Sequence, residues 1–361
     1  MPILWLLACD SVGGAVFGET GTAPVSESDT TGTTDTPTPP QLQETADPTD
    51  PSPTETDPPD TTLGTADTTE TGLPSDTGVG SSCVTWAPIP ELLGTLAAPD
   101  VQEASGLVIS SKNAGVMWIH DDRNDDPDDR ARVFALGIDG ADLGTYWLDG
   151  VENYDFEAMT TGIGNDGKPW LYIGDVGDND RERLDVAIVG FPEPTVNVAL
   201  GDPGDQYIVG AEVYRATWPT VPPSNCEAVG MDPRTGDFWL LTKSGQGFAT
   251  LNRYPMPFRV DETVELEELL DVTYYGPPNP ALTDMAFSQD GSIVVARTYT
   301  QTLSWVRGPD DDVVEALSRE PCVGELPAQN LGETIAFDID GRSLFTVSEG
   351  AGAAVLRLAM E

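Results

Sequence analysis

Five similar segments recur along the chain, and each begins with an acidic residue. We interpret these acids as occupying the same position in each repeat. Each segment starts with a carboxylate and continues as a short run of small or apolar residues. The five carboxylates are Glu103, Glu157, Glu227, Asp284 and Glu333. Carboxylate oxygens are ligands that Ca²⁺ prefers, and the ion takes about six to eight oxygen ligands. If the fold brings these segments together, their carboxylates predict a calcium site.

A second set of polar residues lies where an aromatic-rich run ends in each segment. These residues are His120, Asp121, Asp175, Asp178, Lys243, Arg297 and Glu349. We interpret Lys243 and Arg297 as cations that hold charge at the site. His120 is the only histidine of the chain, so it or one of the glutamates is the candidate general base. The alternative role for the acids is structural, because carboxylates also cap backbone amides where strands begin.

The elements that would position these residues form an all-β fold, a β-propeller. The segments recur every 49 to 70 residues and contain hairpins closed by Asp-Gly turns such as Asp290-Gly291. Such a period with such turns is typical of propeller blades. We predict five four-stranded blades in a domain spanning 83–361, or six blades if the 70-residue interval contains another. A sandwich with accidental repetition is the alternative.

The outer strands of the blades can be assigned as well. We predict third and fourth strands for blades one to four. In chain order these pairs are 132–136 and 145–148, 185–189 and 207–218, 249–254 and 264–275, and 303–307 and 313–317. The last blade lacks one strand, which the segment 84–96 can supply. This N-terminal strand would complete the last blade and close the ring.

The predicted propeller places the five acids at one mouth of its central channel. Two like charges about 4 Å apart repel by roughly 4 kcal/mol at an effective dielectric constant near 20. A bound cation, pairing with Lys243 and Arg297, or protonation of some carboxyls would each relieve this repulsion. The cysteines fit the same ring. Closure of the ring brings Cys83 towards the connection that carries Cys322, which predicts a disulfide between Cys83 and Cys322. Cys226 is then left without a disulfide partner.

Charge is distributed unevenly. The chain has 61 Asp+Glu against 17 Lys+Arg, a formal net charge of −44, and its first basic residue is Lys112. So few basic residues exclude nucleic-acid binding and a polybasic membrane contact. Residues 10–82 are rich in Thr, Pro and Asp, which predicts a disordered acidic linker.

The N-terminus indicates how the propeller is held. Residues 1–9 read as the remnant of a signal peptide, and Leu6-Leu7-Ala8-Cys9 resembles a bacterial lipobox. We therefore predict a lipoprotein anchored through Cys9 at the bacterial cell envelope or extracellular surface, with the lipid as its only membrane contact. A secreted protein with an apolar N-terminus is the alternative.

Five motifs give the chain a wider resemblance. Glu103-Ala-Ser-Gly-Leu, Asp155-Phe-Glu-Ala-Met, Tyr172-Ile-Gly-Asp-Val-Gly-Asp-Asn179, Glu227-Ala-Val-Gly-Met-Asp-Pro-Arg-Thr-Gly236 and Gly332-Glu-Thr-Ile-Ala-Phe resemble an uncharacterised family of secreted bacterial propellers. That family is distantly similar to phytase-like esterase propellers and to calcium-dependent lactonase-type propellers. The resemblance implies a channel-mouth site that contains Ca²⁺.

Three functions follow from this interpretation. The first is a monomeric binding module that presents an acidic, calcium-loaded mouth to a small molecule or a protein. The second is a calcium-dependent hydrolase of an ester or phosphoester, in which Lys243, Arg297 and His120 take part. The third is a structural scaffold, so whether the chain is an enzyme stays open.

The lipid anchor is testable by metabolic labelling with a fatty-acid analogue. We expect the full chain to incorporate the label and Cys9→Ala to abolish incorporation, because lipidation requires that thiol. Cys226→Ala, which leaves Cys9 in place, is the control and should label normally. Equal labelling of the native chain and Cys9→Ala would contradict the anchor.

Overall fold

The computed structural model describes residues 83–122, 130–274 and 280–361. In these ranges the chain forms five β-sheets arranged as the blades of a propeller, which confirms the predicted fold. The first strands of neighbouring blades contact one another in a closed ring around the channel. Cys9 and the predicted linker 10–82 lie outside the described residues.

Blades one and two each contain five strands, numbered here with all others in chain order. From the channel outwards, blade one consists of β2 (Ala104–Ile109), β3 (Val116–Asp121), β4 (Arg130–Gly137), β5 (Asp142–Glu152) and β9 (Gln206–Ile208). Blade two consists of β6 (Phe156–Ile163), β7 (Pro169–Asp175), β8 (Asp185–Pro192), β10 (Glu212–Thr217) and β14 (Thr263–Glu265). The fifth strands run parallel to the fourth and come from a connection within the following blade. Strand β9 and a short 3-10 helix at Val198–Leu200 occupy the long interval between repeats, so there is no sixth blade in the described ranges.

The other three blades contain four strands each. Blade three consists of β11 (Cys226–Met231), β12 (Phe238–Thr242), β13 (Phe248–Tyr254) and β15 (Glu267–Thr273). Blade four consists of β16 (Leu282–Phe287), β17 (Ile293–Thr298), β18 (Gln301–Val306) and β19 (Cys322–Glu325). Blade five consists of β20 (Ala336–Phe337), β21 (Ser343–Thr346), β22 (Ala354–Ala359) and β1 (Glu91–Thr95). Strand β1 pairs antiparallel with β22, so the N-terminal strand completes the last blade as predicted.

Several outer strands differ from the prediction. Residues Val313–Leu317 form helix α1 rather than the fourth strand of blade four, which is β19. The helix begins after Asp312, whose carboxylate accepts a hydrogen bond from the Glu315 amide at 2.6 Å, a favourable N-cap. The predicted strands 207–218 and 264–275 also miss the blade boundaries, because Tyr207 belongs to blade one and Val264 to blade two. No helix in the described ranges is long and apolar enough to cross a membrane.

Apolar packing between neighbouring blades holds the ring together. Strands β3 and β12 are buried along their whole length because other elements cover both faces of these blades. Between blades two and three, Tyr172 and Phe238 pack edge to face with ring centroids 5.0 Å apart. Such aromatic contacts stabilise by about 0.5–1.5 kcal/mol beyond the area they bury.

The innermost strand of four blades contains one more residue than the strand paired with it. The extra residue in blades one to four is, in order, Ser105, Glu157, Glu227 and Thr283. Glu157 and Glu227 are therefore equivalent, whereas Glu103 lies two residues before this position and Asp284 one residue after it. The prediction that the acids share one position in every repeat is wrong. A shift of one residue along a strand points the side chain to the opposite face.

Polar side chains also join each of three blades to the next. Every innermost strand is a sheet edge, so part of its backbone has no partner within its own blade. Side chains of the preceding blade bond to this edge: Ser105 Oγ donates to the Glu157 carbonyl (3.1 Å), Thr160 Oγ1 accepts from the Met231 amide (3.2 Å), and Thr283 Oγ1 donates to the Gly332 carbonyl (3.5 Å). These bonds fix the spacing of the innermost strands around the channel.

A disulfide reinforces the closure of the ring. Cys83 and Cys322 are bonded, with their Cα atoms 5.5 Å apart. The bond joins the segment before β1 to β19 of blade four, and Cys226 is left as a buried free thiol.

Candidate functional site

Three carboxylates from blades one and two converge at the mouth where the innermost strands begin. One oxygen from each of Asp122, Asp155 and Glu157 lies within 4.8 Å of the other two. Asp122 and Asp155 are half-buried and Glu157 is buried. This geometry brings three hard oxygen ligands to one point.

The backbone determines where each carboxylate stands. Asp122 follows β3, and its amide donates to the Glu103 carbonyl at 2.8 Å. Asp155 precedes β6, and its amide donates to Asp175 Oδ1 at 3.1 Å. Glu157 is the extra residue of β6, so the bulge points its side chain towards Asp122 and Asp155.

A glycine leaves room beside these carboxylates. A Cβ atom added to Gly177 would lie 2.4 Å from Asp155 Oδ2 and 2.7 Å from Glu157 Oε1. Real Cβ atoms do not approach other atoms this closely, so any larger residue at this position would displace both carboxylates. The carboxylates of Asp155 and Glu157 therefore pack directly against Gly177, and their positions depend on its lack of a side chain.

Burial and mutual repulsion raise the pKa values of these carboxyls. Burial, followed by repulsion from Asp155, raises the pKa of Asp122 to about 7. Burial, followed by repulsion from Glu227, raises the pKa of Glu157 well above its ordinary value. Burial raises the pKa of Glu227 to about 8, although Lys243 opposes the shift. Near neutral pH the cluster therefore retains protons unless a cation replaces them.

A second group of acids lies on the blade-five side of the mouth. Glu103, Glu333 and Glu349 repel one another, and burial followed by this repulsion raises the pKa of Glu349 to about 7. Asp122 is also repelled by Glu103 and Glu333, so it interacts with both groups. The mouth is strongly negative across its width.

Lys243 and Tyr299 connect the acids of blades three and five. The Lys243 ammonium donates to Glu227 and, at 3.2 Å, to Tyr299 Oη, which in turn donates to Glu333 Oε1 at 3.2 Å. Burial lowers the pKa of Lys243, but Glu227 and Tyr299 outweigh it and raise the pKa above its ordinary value. Lys243 therefore carries a positive charge at the mouth near neutral pH.

Three of the predicted acids cap backbone amides. Asp121 and Asp175 stand at the ends of β3 and β7 and accept from the amides of Glu103 (2.5 Å) and Asp155 (3.1 Å). Asp178 accepts from two amides of the turn that follows it, at 2.8 and 2.9 Å. These carboxylates position the loops of the mouth, which is the structural role that the sequence left open.

Asp284 also has a structural role. It is completely buried, and its two oxygens accept from the amides of Met285 (2.8 Å) and Ile335 (2.7 Å). The second bond joins blade four to blade five. Because both oxygens bond to backbone amides, Asp284 is not a member of the mouth cluster.

His120 and Arg297 lie in the interior rather than at the mouth. His120 is completely buried and packs edge to face on Phe156 at 5.9 Å, and burial lowers its pKa to about 4. Arg297 is completely buried and donates to Thr346 Oγ1 (2.6 Å) and to the Thr334 carbonyl (2.8 Å). Neither side chain can reach a ligand at the mouth, so their predicted catalytic roles are not supported by this geometry.

The candidate site includes residues that the sequence did not single out. Asp122, Asp155, Gly177 and Tyr299 lie beside predicted positions but outside the acid-first pattern of the repeat. Asp155 opens the motif Asp155-Phe-Glu-Ala-Met, and Asp122 follows Asp121 directly. A search for acids on both sides of each strand start would have found these two.

Comparisons with known proteins give distant likenesses. No family model and no curated protein matches the chain. Similar solved structures include the soluble aldose sugar dehydrogenase of Escherichia coli (12% identity, TM-score 0.39, 75% of this chain and 99% of that chain). They also include a gluconolactonase of Xanthomonas campestris (12%, 0.39, 78% and 98%) and the WD40 repeats of RRP9 (9%, 0.38, 76% and 100%). At these values the likenesses carry no argument about function, which rests on the residues described above.

The raised pKa values predict how the stability of the protein depends on pH. In EDTA the folded state holds protons on Asp122, Glu157 and Glu227 that the unfolded chain has already lost above pH about 5. The free energy of unfolding should therefore fall as pH rises from 5 to 8, by on the order of 3 kcal/mol. Urea denaturation at four pH values in this range measures it.

A matched pair of variants separates the cluster from the overall charge. Glu157→Gln should have a smaller fall in stability, whereas Glu265→Gln, which removes an exposed acid of β14, should keep the full fall. A free energy of unfolding that is constant or rises from pH 5 to 8 would contradict the prediction.

Proposed function

We propose that this protein is a divalent-cation-binding propeller whose bound ion, Ca²⁺ by the chemistry of its ligands, recruits a ligand at the channel mouth. The observation that carries the proposal is the convergence of Asp122, Asp155 and Glu157, with oxygens within 4.8 Å of one another. The close packing of Asp155 and Glu157 against Gly177 supports it, because a residue without a Cβ lets these two carboxylates stand where they converge.

A cation is the effective way to relieve the repulsion at this site. Lys243 is already engaged by Glu227 and Tyr299, and Arg183 forms an ion pair with Asp175 at 2.9 Å. Protonation also neutralises the carboxyls, but the protons dissociate as pH rises and the repulsion then returns. A divalent ion would neutralise them throughout the neutral range.

The ligand set favours Ca²⁺ over softer or smaller ions. All three side chains offer carboxylate oxygens, which suit hard cations rather than metals that prefer sulfur or nitrogen. Ca²⁺ accepts about six to eight oxygens in irregular geometry, whereas Mg²⁺ requires a near-octahedral set. Three carboxylates leave positions for water or for oxygens of a ligand, so the ion itself would recruit an oxygen-rich small molecule or protein segment.

One observation favours a second function, metal-assisted hydrolysis of an ester or phosphoester. The chain of hydrogen bonds from Lys243 through Tyr299 to Glu333 stands beside the carboxylate cluster. A bound cation would polarise a substrate oxygen, Lys243 would hold negative charge, and an ionised glutamate of the mouth would accept a proton as general base. Turnover of ester and phosphoester substrates that EDTA abolishes would favour this function over binding alone.

The anchor completes the proposal. A lipid on Cys9 and an extended linker over 10–82 would hold the propeller at the bacterial envelope, at a distance from the membrane surface. The composition of the linker and the lipobox-like sequence support this location. The mouth would then be accessible to ligands outside the membrane.

Calorimetric titration of Ca²⁺ into the EDTA-treated full chain tests the cation site. We expect one strong site, with affinity reduced at least tenfold in Glu157→Gln because one ligand is lost. Gly177→Ala keeps every carboxylate but places a Cβ where Asp155 and Glu157 now pack, so it should displace both and reduce affinity to a similar extent.

Glu265→Gln is the control for a change of net charge alone and should bind like the native chain. If the native chain gives no binding, or if all four proteins bind equally, the acids have a structural role and the proposal fails.

A further inference from the structure

The opposite half of the channel contains a cavity of a different character. It measures about 340 Å³ and is lined by residues of all five innermost strands, β2, β6, β11, β16 and β20. Along β6 the chain passes from Glu157 at the acidic mouth to Ile163 at the cavity's open end, roughly 20 Å at about 3.3 Å per residue. Among the described residues, none of the mouth carboxylates lines this cavity.

Apolar and polar groups both line this cavity. Ala286 and Phe287 line it and keep part of their surface exposed, and Thr160 and Thr161 add hydroxyl groups. Behind this lining, Leu107 and Met285 are buried in the cores between blades. The cavity therefore combines apolar surface with a few polar groups, as ligand pockets do.

Exposed apolar residues mark its opening. Ile163 and Ile339 line the cavity and have 60% and 40% of their surface exposed. Asp338 is the one charged residue of the described lining, and Arg357, which also pairs with Glu91 at 3.6 Å, lies 3.8 Å from its carboxylate. The opening therefore carries far less charge than the mouth at the other end.

The walls also offer hydrogen-bonding groups. Each of the five strands is the edge of its sheet, so one side of its backbone has no partner within the blade. Some of these groups bond to side chains of the preceding blade, as the Met231 amide does to Thr160. The remaining groups, with the side chains of Ser288 and Gln289 at the lining, can orient a ligand that has one or two polar atoms.

We propose that this half of the channel binds a small uncharged ligand with an apolar body of about two fused rings and a single hydroxyl or carbonyl group. An apolar cavity of about 150 Å³ is sufficient for benzene, so 340 Å³, which is more than twice that volume, accommodates two fused rings. A charged ligand is disfavoured because burying a charge away from water without a partner is costly. The site does not depend on the proposed cation site, with which it shares no lining residue.

Calorimetric titration of the full chain with 2-naphthol tests the proposal. We expect one molecule bound per chain, and at least tenfold weaker binding of naphthalene-2-sulfonate, which has the same rings and a charge. Thr161→Trp should reduce the affinity for 2-naphthol at least tenfold, because Thr161 lines the cavity and an indole would fill it. Thr263→Trp makes the same substitution on the exposed strand β14 and should bind normally.

Ala286→Phe fills the cavity from β16 and replaces Thr161→Trp if that variant does not fold. EDTA should leave the affinity for 2-naphthol unchanged, which separates this site from the cation site. The proposal is overturned if the native chain does not bind 2-naphthol, if the sulfonate binds equally well, or if a folded cavity-filling variant binds like the native chain.

Discussion

The structure depends on one constraint: five innermost strands meet around a channel, and each presents the unpaired edge of its sheet. Side chains of the preceding blade bond to these edges, through Ser105 in blade one and Thr160 in blade two. Thr283 and Asp284 do the same from blade four. Polar residues at strand starts are therefore used first to hold the ring, and only those left over are available to a ligand.

The residues left over form two groups at the mouth, one of which contains Asp122, Asp155 and Glu157. Glu157 and Glu227 occupy the bulge position that Ser105 and Thr283 occupy elsewhere, but their longer carboxylates reach into the mouth. A hydroxyl at the bulge joins two blades, whereas a carboxylate adds a charge that must be neutralised. The propeller is pseudo-symmetric in its backbone, yet only part of its mouth is suited to a cation.

The channel separates two kinds of chemistry along the same strands. Strand β6 begins beside the carboxylate cluster and continues into an apolar cavity two residues later, at Met159. The acidic end attracts cations over a distance, whereas the apolar end favours uncharged molecules by removing their surface from water.

The sequence by itself determined the propeller fold, the two inner strands of each blade with their hairpin turns, and the closure by an N-terminal strand, because these depend on local alternation and on repeat length; it left five or six blades open. It placed a strand at Val313–Leu317, where the local cap of Asp312 instead starts a helix. Only the tertiary structure decided which acids meet, because a bulge of one residue changes the side to which each points. Asp155 and Asp122 thus join Glu157 at the mouth, while Asp284, whose spacing in the sequence is nearly the same, is buried against the next blade.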